Sequence, residues 1–161
     1  MNLYFVLKFL HLVGATVLLG TGAGIAFFLV LAHRGGDPAV VATVARIVVI
    51  ADVAFTATAV VLQPLTGAAL AISSGYPLGE GWIVLSLLLY LVAGVFWLPV
   101  VWMQLRIRDI AAAAARSGEP LPPPYYVLIH TWICFGFPAF AAVLAIFWLM
   151  IVRPEIPALS W

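Results

Sequence analysis

The chain has 161 residues, of which 66% are apolar and only 8% are charged. In a soluble domain roughly half of the residues are apolar and about a quarter are charged. This composition excludes an ordinary soluble protein. The formal net charge of +1 gives no reason to expect nucleic acid as a partner, and a single cysteine excludes a disulfide framework.

Four apolar runs, at about residues 3–31, 44–72, 82–105 and 125–152, each exceed the roughly 18 residues needed to cross a hydrocarbon core of about 30 Å. Backbone polar groups must be paired in lipid, and these runs are too long for barrel strands, so they predict helices. The expected fold class is all-α: one four-helix transmembrane bundle that occupies residues 1–161 as a single domain. The lipid bilayer is the expected partner of its surface.

The basic residues predict the orientation of this bundle. They flank the first connection and fill the third, whereas the second connection carries only Glu80. Basic residues favour cytoplasmic connections. We therefore expect an N-out/C-out multi-pass protein of the bacterial inner membrane, with both termini on the periplasmic or extracellular side.

The first run contains two ionisable residues, Lys8 and His11, one helical turn apart. At 1.5 Å per residue, His11 lies about 13 Å below the membrane surface. Ionisable groups are costly at that depth in the membrane. Their presence there therefore favours a functional site. Farther along the run, Gly20 and Gly24 form a small-xxx-small pair, which predicts either tight packing, including a homo-oligomer contact, or room for a flat ligand. His33, at the end of the run, is expected in a solvated loop.

The second run carries a polar stripe in which Asp52, Thr56, Gln63 and Thr66 share one helical face. That face must look into the bundle. Gln63 is level with His11, and the following Pro64 removes a backbone donor. Gln63 therefore either contributes to a site or satisfies carbonyl groups that Pro64 leaves free.

The third run brings Tyr90 to the depth of His11 and Gln63, and its helix is expected to continue through the alanine-rich stretch before Arg116 because alanine is the strongest helix former. The fourth run places His130 about 8 Å from the cytoplasmic face. Asp52 enters from the same side, which predicts an Asp52 to His130 hydrogen bond.

These depths predict two polar levels in the bundle. The outer level contains His11, Lys8, Gln63 and Tyr90, and the inner level contains Asp52, Thr56 and His130. Histidine is a common axial ligand of haem, and bundle cores are common cofactor sites. His11 is accordingly the candidate metal ligand if haem b is bound. It is not expected to share that haem with His130, because about 10 to 15 Å along the membrane normal separates them.

Three stretches carry a resemblance over the whole chain: Leu7-Lys8-Phe9-Leu10-His11, Asp52-Val-Ala-Phe-Thr56 and Gln63-Pro64-Leu65-Thr66-Gly67. With them the chain resembles the bacterial integral membrane family catalogued as domain of unknown function twenty-two sixty-nine. This resemblance implies a membrane protein and no particular activity.

More distantly, Lys8-x-x-His11 near the start of an outward-beginning first helix is similar to the bacterial four-helix protoporphyrinogen oxidase, which binds b-type haem. This resemblance implies that His11 is a haem ligand. A Lys-Pro near the end of the last helix is also functional in that family. Here Val152-Arg153-Pro154 stands at that place, and an arginine, which stays protonated, cannot ligate a metal.

Three function hypotheses follow. The first is a haem- or porphyrin-binding redox protein whose outer site is built by His11, with Lys8 near a carboxylate. The second is a non-catalytic structural or accessory membrane protein. The third is a small proton or solute pathway formed in an oligomer. No nucleophile-base pair, phosphate loop or nucleotide fingerprint occurs, so no catalytic residue is assigned and enzymatic activity is left open.

Overall fold

The computed structural model describes residues 2–157 and shows an all-α protein with four helices that are long and apolar enough to cross a membrane. The predicted fold class is thereby confirmed. Helix α1 spans Leu3–Gly35, and the second span, Pro38–Ser73, is continuous. It consists of α2 (Pro38–Ala51), a π-helical segment (Asp52–Thr56) and α3 (Ala57–Ser73). Helices α4 (Gly81–Ser117) and α5 (Pro123–Val152) complete the bundle.

The first connection consists of two residues, so the second span begins six residues earlier than predicted. Gly36 adopts the left-handed conformation (φ 70°) and its N–H bonds the His33 carbonyl, which is the usual glycine end of a helix. Asp37 then caps α2, its side chain accepting from the Ala39 N–H at 2.8 Å, and Pro38 occupies the first turn, where no N–H is needed.

The third connection lies at the same end of the bundle, which we call the basic end because the arginines of both connections gather there. The opposite end, which holds the second connection and both described chain ends, is called the terminal end. Helix α4 runs on to Ser117 as predicted, and its last turns are part of the core: Ile107 and Ala111 are fully buried together with Val41 and Tyr125. The fully buried apolar side chains therefore concentrate toward the basic end.

The helices pair unequally. Helix α4 packs extensively against α5 and α2, and α1 packs against α2, the π-helical segment and α3, but α1 and α5 make few contacts. The outer faces of the bundle expose large apolar side chains such as Phe9, Phe28 and Ile151, as a lipid-facing surface requires. The sparse packing between α1 and α5 leaves space inside the bundle.

Candidate functional site

Two of the outer-level residues, His11 and Gln63, meet between α1 and α3 as their depths predicted. The Gln63 amide Nε2 donates to the backbone oxygen of His11 at 2.9 Å. The His11 ring nitrogen Nδ1 lies 3.0 Å from the Thr66 hydroxyl oxygen. Gln63 thus satisfies a carbonyl, but one on the neighbouring helix rather than one that Pro64 leaves free.

Two glycines make this meeting possible. A Cβ added at Gly14 would collide with the Gln63 amide nitrogen, and one added at Gly67 would lie 3.0 Å from His11 Cε1. Each polar side chain therefore fills the space that a missing side chain leaves on the facing helix. We call the group His11, Gly14, Gln63, Thr66 and Gly67 the interlock.

Tyr90 does not join the interlock. Its hydroxyl donates to the backbone oxygen of Val60. Val60 lies four residues before Pro64, so its carbonyl is the one that loses a helical partner because proline has no N–H. Tyr90 therefore fills the role that was one of the two alternatives for Gln63, since it supplies the partner that the Val60 carbonyl lacks.

Lys8 lies apart from the other outer-level residues. Its side chain is exposed, with Nζ 5.7 Å from the centre of the Tyr4 ring on its own helix. The structure gives this ammonium no contact with the interlock among the described residues.

At the inner level, Asp52 and Thr56 form the two ends of the π-helical segment, in which the Ala57 N–H bonds the Asp52 carbonyl five residues earlier. Such π-helical bulges are frequent at functional sites. Both side chains are buried, at 3% and 4% exposure. The Trp97 indole Nε1 donates to Asp52 Oδ1 at 3.3 Å.

The predicted Asp52 to His130 hydrogen bond is wrong. Because the second span starts at Pro38, Asp52 lies about 21 Å along it, whereas His130 lies only about 10 Å along α5. His130 is exposed near the basic end, its ring centre 5.9 Å from that of His33. The expectation for His33 also fails, since this residue is helical and partly buried, with Nδ1 3.1 Å from the Tyr125 hydroxyl.

A cavity of about 450 Å³ lies in the gap between α1 and α5, with walls also from the π-helical segment, α3 and α4. Most of its lining is apolar and several lining residues are small. A Cβ added at Gly22, Gly94 or Gly136 would meet nothing within 4 Å. These glycines therefore leave open space, in contrast to Gly14 and Gly67.

Four buried side chains of this cavity lining carry a polar atom that has no hydrogen-bond partner within residues 2–157. These atoms are Asp52 Oδ2, Thr56 Oγ1, Gln104 Oε1 and Trp132 Nε1. Their residues, 2% to 4% exposed, are called the unpartnered polar set. Buried polar groups are almost always hydrogen-bonded, and leaving one unpaired costs about 1 to 3 kcal/mol. Four residues of one cavity lining therefore carry this cost, and in each of them the unpartnered atom is covered by neighbouring protein atoms.

Sequence reasoning missed two members of this set. Gln104 lies inside the third apolar run, and the same signal that singled out Gln63, an amide in a hydrophobic span, applies to it equally. Trp132 carried no such signal, because tryptophans are common near membrane interfaces.

The residues present offer haem only part of a site. His11 keeps Nε2 free of side-chain partners among the described residues while Thr66 holds Nδ1, an arrangement that suits an axial ligand. The ring nevertheless lies in the interlock, and no histidine lines the cavity described here. Residues 2–157 also hold no group of three or more histidine, cysteine, aspartate or glutamate side chains placed to bind a metal ion.

Fold and lining together define an integral membrane protein of four spans with a mainly apolar cavity, whose lining includes a few buried polar residues. The chain belongs to the family described as "Predicted integral membrane protein (DUF2269)", whose model matches residues 5–154. That match confirms the resemblance carried by the three sequence stretches. No curated protein and no solved structure matches the chain.

Proposed function

We propose that this protein binds a small, mainly apolar molecule inside the membrane, in the cavity between α1 and α5. The observation that carries the proposal is the unpartnered polar set. A volume of about 450 Å³ falls within the roughly 300 to 1,000 Å³ of small-molecule sites, which combine apolar walls with a few polar groups.

The weak pairing of α1 with α5 supports the same function. A ligand dissolved in the bilayer can reach the cavity sideways where two helices hold each other loosely. The open space at Gly94 and Gly136 lets the ligand approach the α4 and α5 backbones.

Binding of 1-adamantanol, a compact apolar cage with one hydroxyl, tests this proposal. We expect saturable binding to the protein in lipid nanodiscs by isothermal titration calorimetry, with empty nanodiscs as the blank. Gly136→Leu fills the cavity and should abolish the binding. Ala141→Leu, on an exposed face of the same helix, should retain it. Absence of saturable binding of both 1-adamantanol and its amine analogue by the unmodified protein would contradict the proposal.

The haem hypothesis remains a second proposal, supported by the Thr66 contact that orients the His11 ring. It predicts a Soret band in protein purified from haem-replete cells, and His11→Ala should remove that band. A colourless preparation would count against it.

The orientation proposal is N-out/C-out in a bacterial inner membrane, supported by the arginines at the basic end. A reporter active only in the cytoplasm, fused to the C-terminus, should stay inactive. Strong activity of this fusion would reverse the orientation.

The oligomer proposal places a second copy against Gly20 and Gly24. Added Cβ atoms there would meet no other helix among the described residues, so the surface is open to a partner. Cross-linking in membranes should give a dimer that Gly20→Leu weakens. A dimer unchanged by this substitution would place the contact elsewhere.

A further inference from the structure

The lining of the cavity has an uncompensated acidic group. Asp52 is its one acidic residue, and no lysine, arginine or histidine lines the cavity within the part of the chain that the structure describes. A charge taken out of water without a partner is costly, and burial of a carboxylate is tolerated when a cation or several hydrogen bonds accompany it. Trp97 supplies one hydrogen bond, to Oδ1. The other carboxyl oxygen has none.

We propose that the molecule bound in this cavity is a protonated organic amine with a compact apolar body, whose ammonium group pairs with Asp52. This inference rests on the proposed function and names the ligand class. An alkylammonium group stays protonated at neutral pH, as lysine does, and supplies both the missing positive charge and N–H donors.

The π-helical segment presents two acceptors for such a group. Asp52 and Thr56 are four residues apart on one face, and Oδ2 of the first and Oγ1 of the second have no partner at hydrogen-bond geometry among residues 2–157, although the two side chains lie close to each other. Trp97 holds Oδ1, and the χ2 torsion of aspartate is broad, so a small rotation of the carboxyl group turns Oδ2 toward the cavity. The ammonium group can then donate to both oxygens.

Aromatic residues in the cavity wall suit the same ligand. Tyr90, Trp97 and Trp132 line the cavity from α4 and α5. Aromatic faces attract a cation within about 6 Å of the ring centre, and this attraction strengthens where water is excluded. The small and aliphatic remainder of the lining accommodates an apolar body.

An inorganic cation fits this lining less well. Hard ions such as Ca²⁺ take about six to eight oxygen ligands, whereas Asp52, Thr56 and Gln104 contribute the unpartnered oxygens here. The rest of the wall is mainly apolar and would desolvate such an ion without replacing its water.

A matched pair of probes, 1-aminoadamantane and 1-adamantanol, tests the inference, because they share one apolar cage and differ in the charged group. In nanodiscs at pH 7, titration calorimetry should show that the amine binds at least about tenfold more tightly than the alcohol, since hydrogen bonds to charged groups are about twice as strong as neutral ones. Equal or weaker binding of the amine would overturn the amine assignment while the binding function stands. Failure of both probes would overturn the binding function itself.

Two variants locate the charge interaction. Asp52→Asn should weaken amine binding at least about tenfold and alcohol binding by a smaller factor, because it removes the charge and keeps an acceptor for Trp97. Thr56→Val, which removes the second acceptor, should weaken amine binding by a smaller factor. Amine affinity that Asp52→Asn leaves unchanged would refute the pairing. If Asp52→Asn does not fold, the two probes are compared on the unmodified protein and on Thr56→Val. That comparison still tests whether the positive charge of the ligand strengthens binding.

Discussion

The interlock and the cavity contain the same kinds of residues and use them in opposite ways. In the interlock, the Gln63 amide and the His11 ring each have a partner on the facing helix, and two glycines fit closely around them. At the cavity, buried polar atoms of Asp52 and Gln104 have no partner within residues 2–157, and the nearby glycines border open space.

This contrast separates structural from functional polar residues inside a membrane. A polar group that is satisfied by a neighbouring helix fixes the position of that helix, and its energetic cost is already offset. A polar group left unsatisfied beside a cavity has a cost that only water or a ligand can offset. Depth alone, which the sequence reveals, does not distinguish the two cases.

The largest expected effect on stability comes from the interlock. Gln63→Leu should lower the free energy of unfolding by about 2 to 3 kcal/mol, because it removes the bond to the His11 backbone and leaves the packing around Gly14 incomplete. Unfolding by SDS in mixed micelles, followed by circular dichroism, measures this. Leu62→Ala, an exposed substitution one residue away, is the control and should change the value by less than about 0.5 kcal/mol. A loss no larger than in the control would mean that the interlock contributes nothing to stability.

His11→Ala should have the next largest effect. It removes the contact with Thr66 and opens a gap beside Gly67, which should lower the free energy of unfolding by about 2 kcal/mol. Binding of 1-adamantanol in the cavity should be unchanged, because His11 does not line it. If the variant instead loses that binding while remaining folded, the separation between the two regions is wrong.

Asp52→Asn should act in the opposite direction. In the absence of an added ligand it should raise the free energy of unfolding by up to about 1 kcal/mol, because a neutral amide costs less to bury than a carboxylate without a counter-ion, and the amide oxygen still accepts from Trp97. The same SDS titration measures the change. A destabilisation of this size would show that the Asp52 carboxylate already has a stabilising partner in the folded protein.

The smallest effects distinguish the two kinds of glycine. Gly94→Ala should stabilise α4 by up to about 1 kcal/mol through helix propensity alone, because its new Cβ meets nothing. Gly67→Ala should gain less than about half of that, because its Cβ would press on the His11 ring at 3.0 Å. Equal gains at the two positions would show that the ring moves aside freely.

The sequence predicted the outer-level pairing better than the inner one. His11 and Gln63 were placed level by counting residues from helix ends at the terminal end, and these ends were located well. At the inner level, the predicted contact between Asp52 and His130 is wrong because the Asp37 cap and Pro38 start the second span six residues early. That shift carries Asp52 to the depth of Trp97 and away from His130.

The sequence by itself determined four apolar helices, because a hydrocarbon solvent leaves the backbone no other way to pair its polar groups. It also predicted that polar residues within those helices would face inward, which holds for Asp52 and Gln63 but not for Lys8. Only the tertiary structure decided which of them are satisfied. Whether a carbonyl, a tryptophan or an open space faces Gln63, Tyr90 or Asp52 depends on how the helices pack and rotate against one another, and no local pattern encodes that.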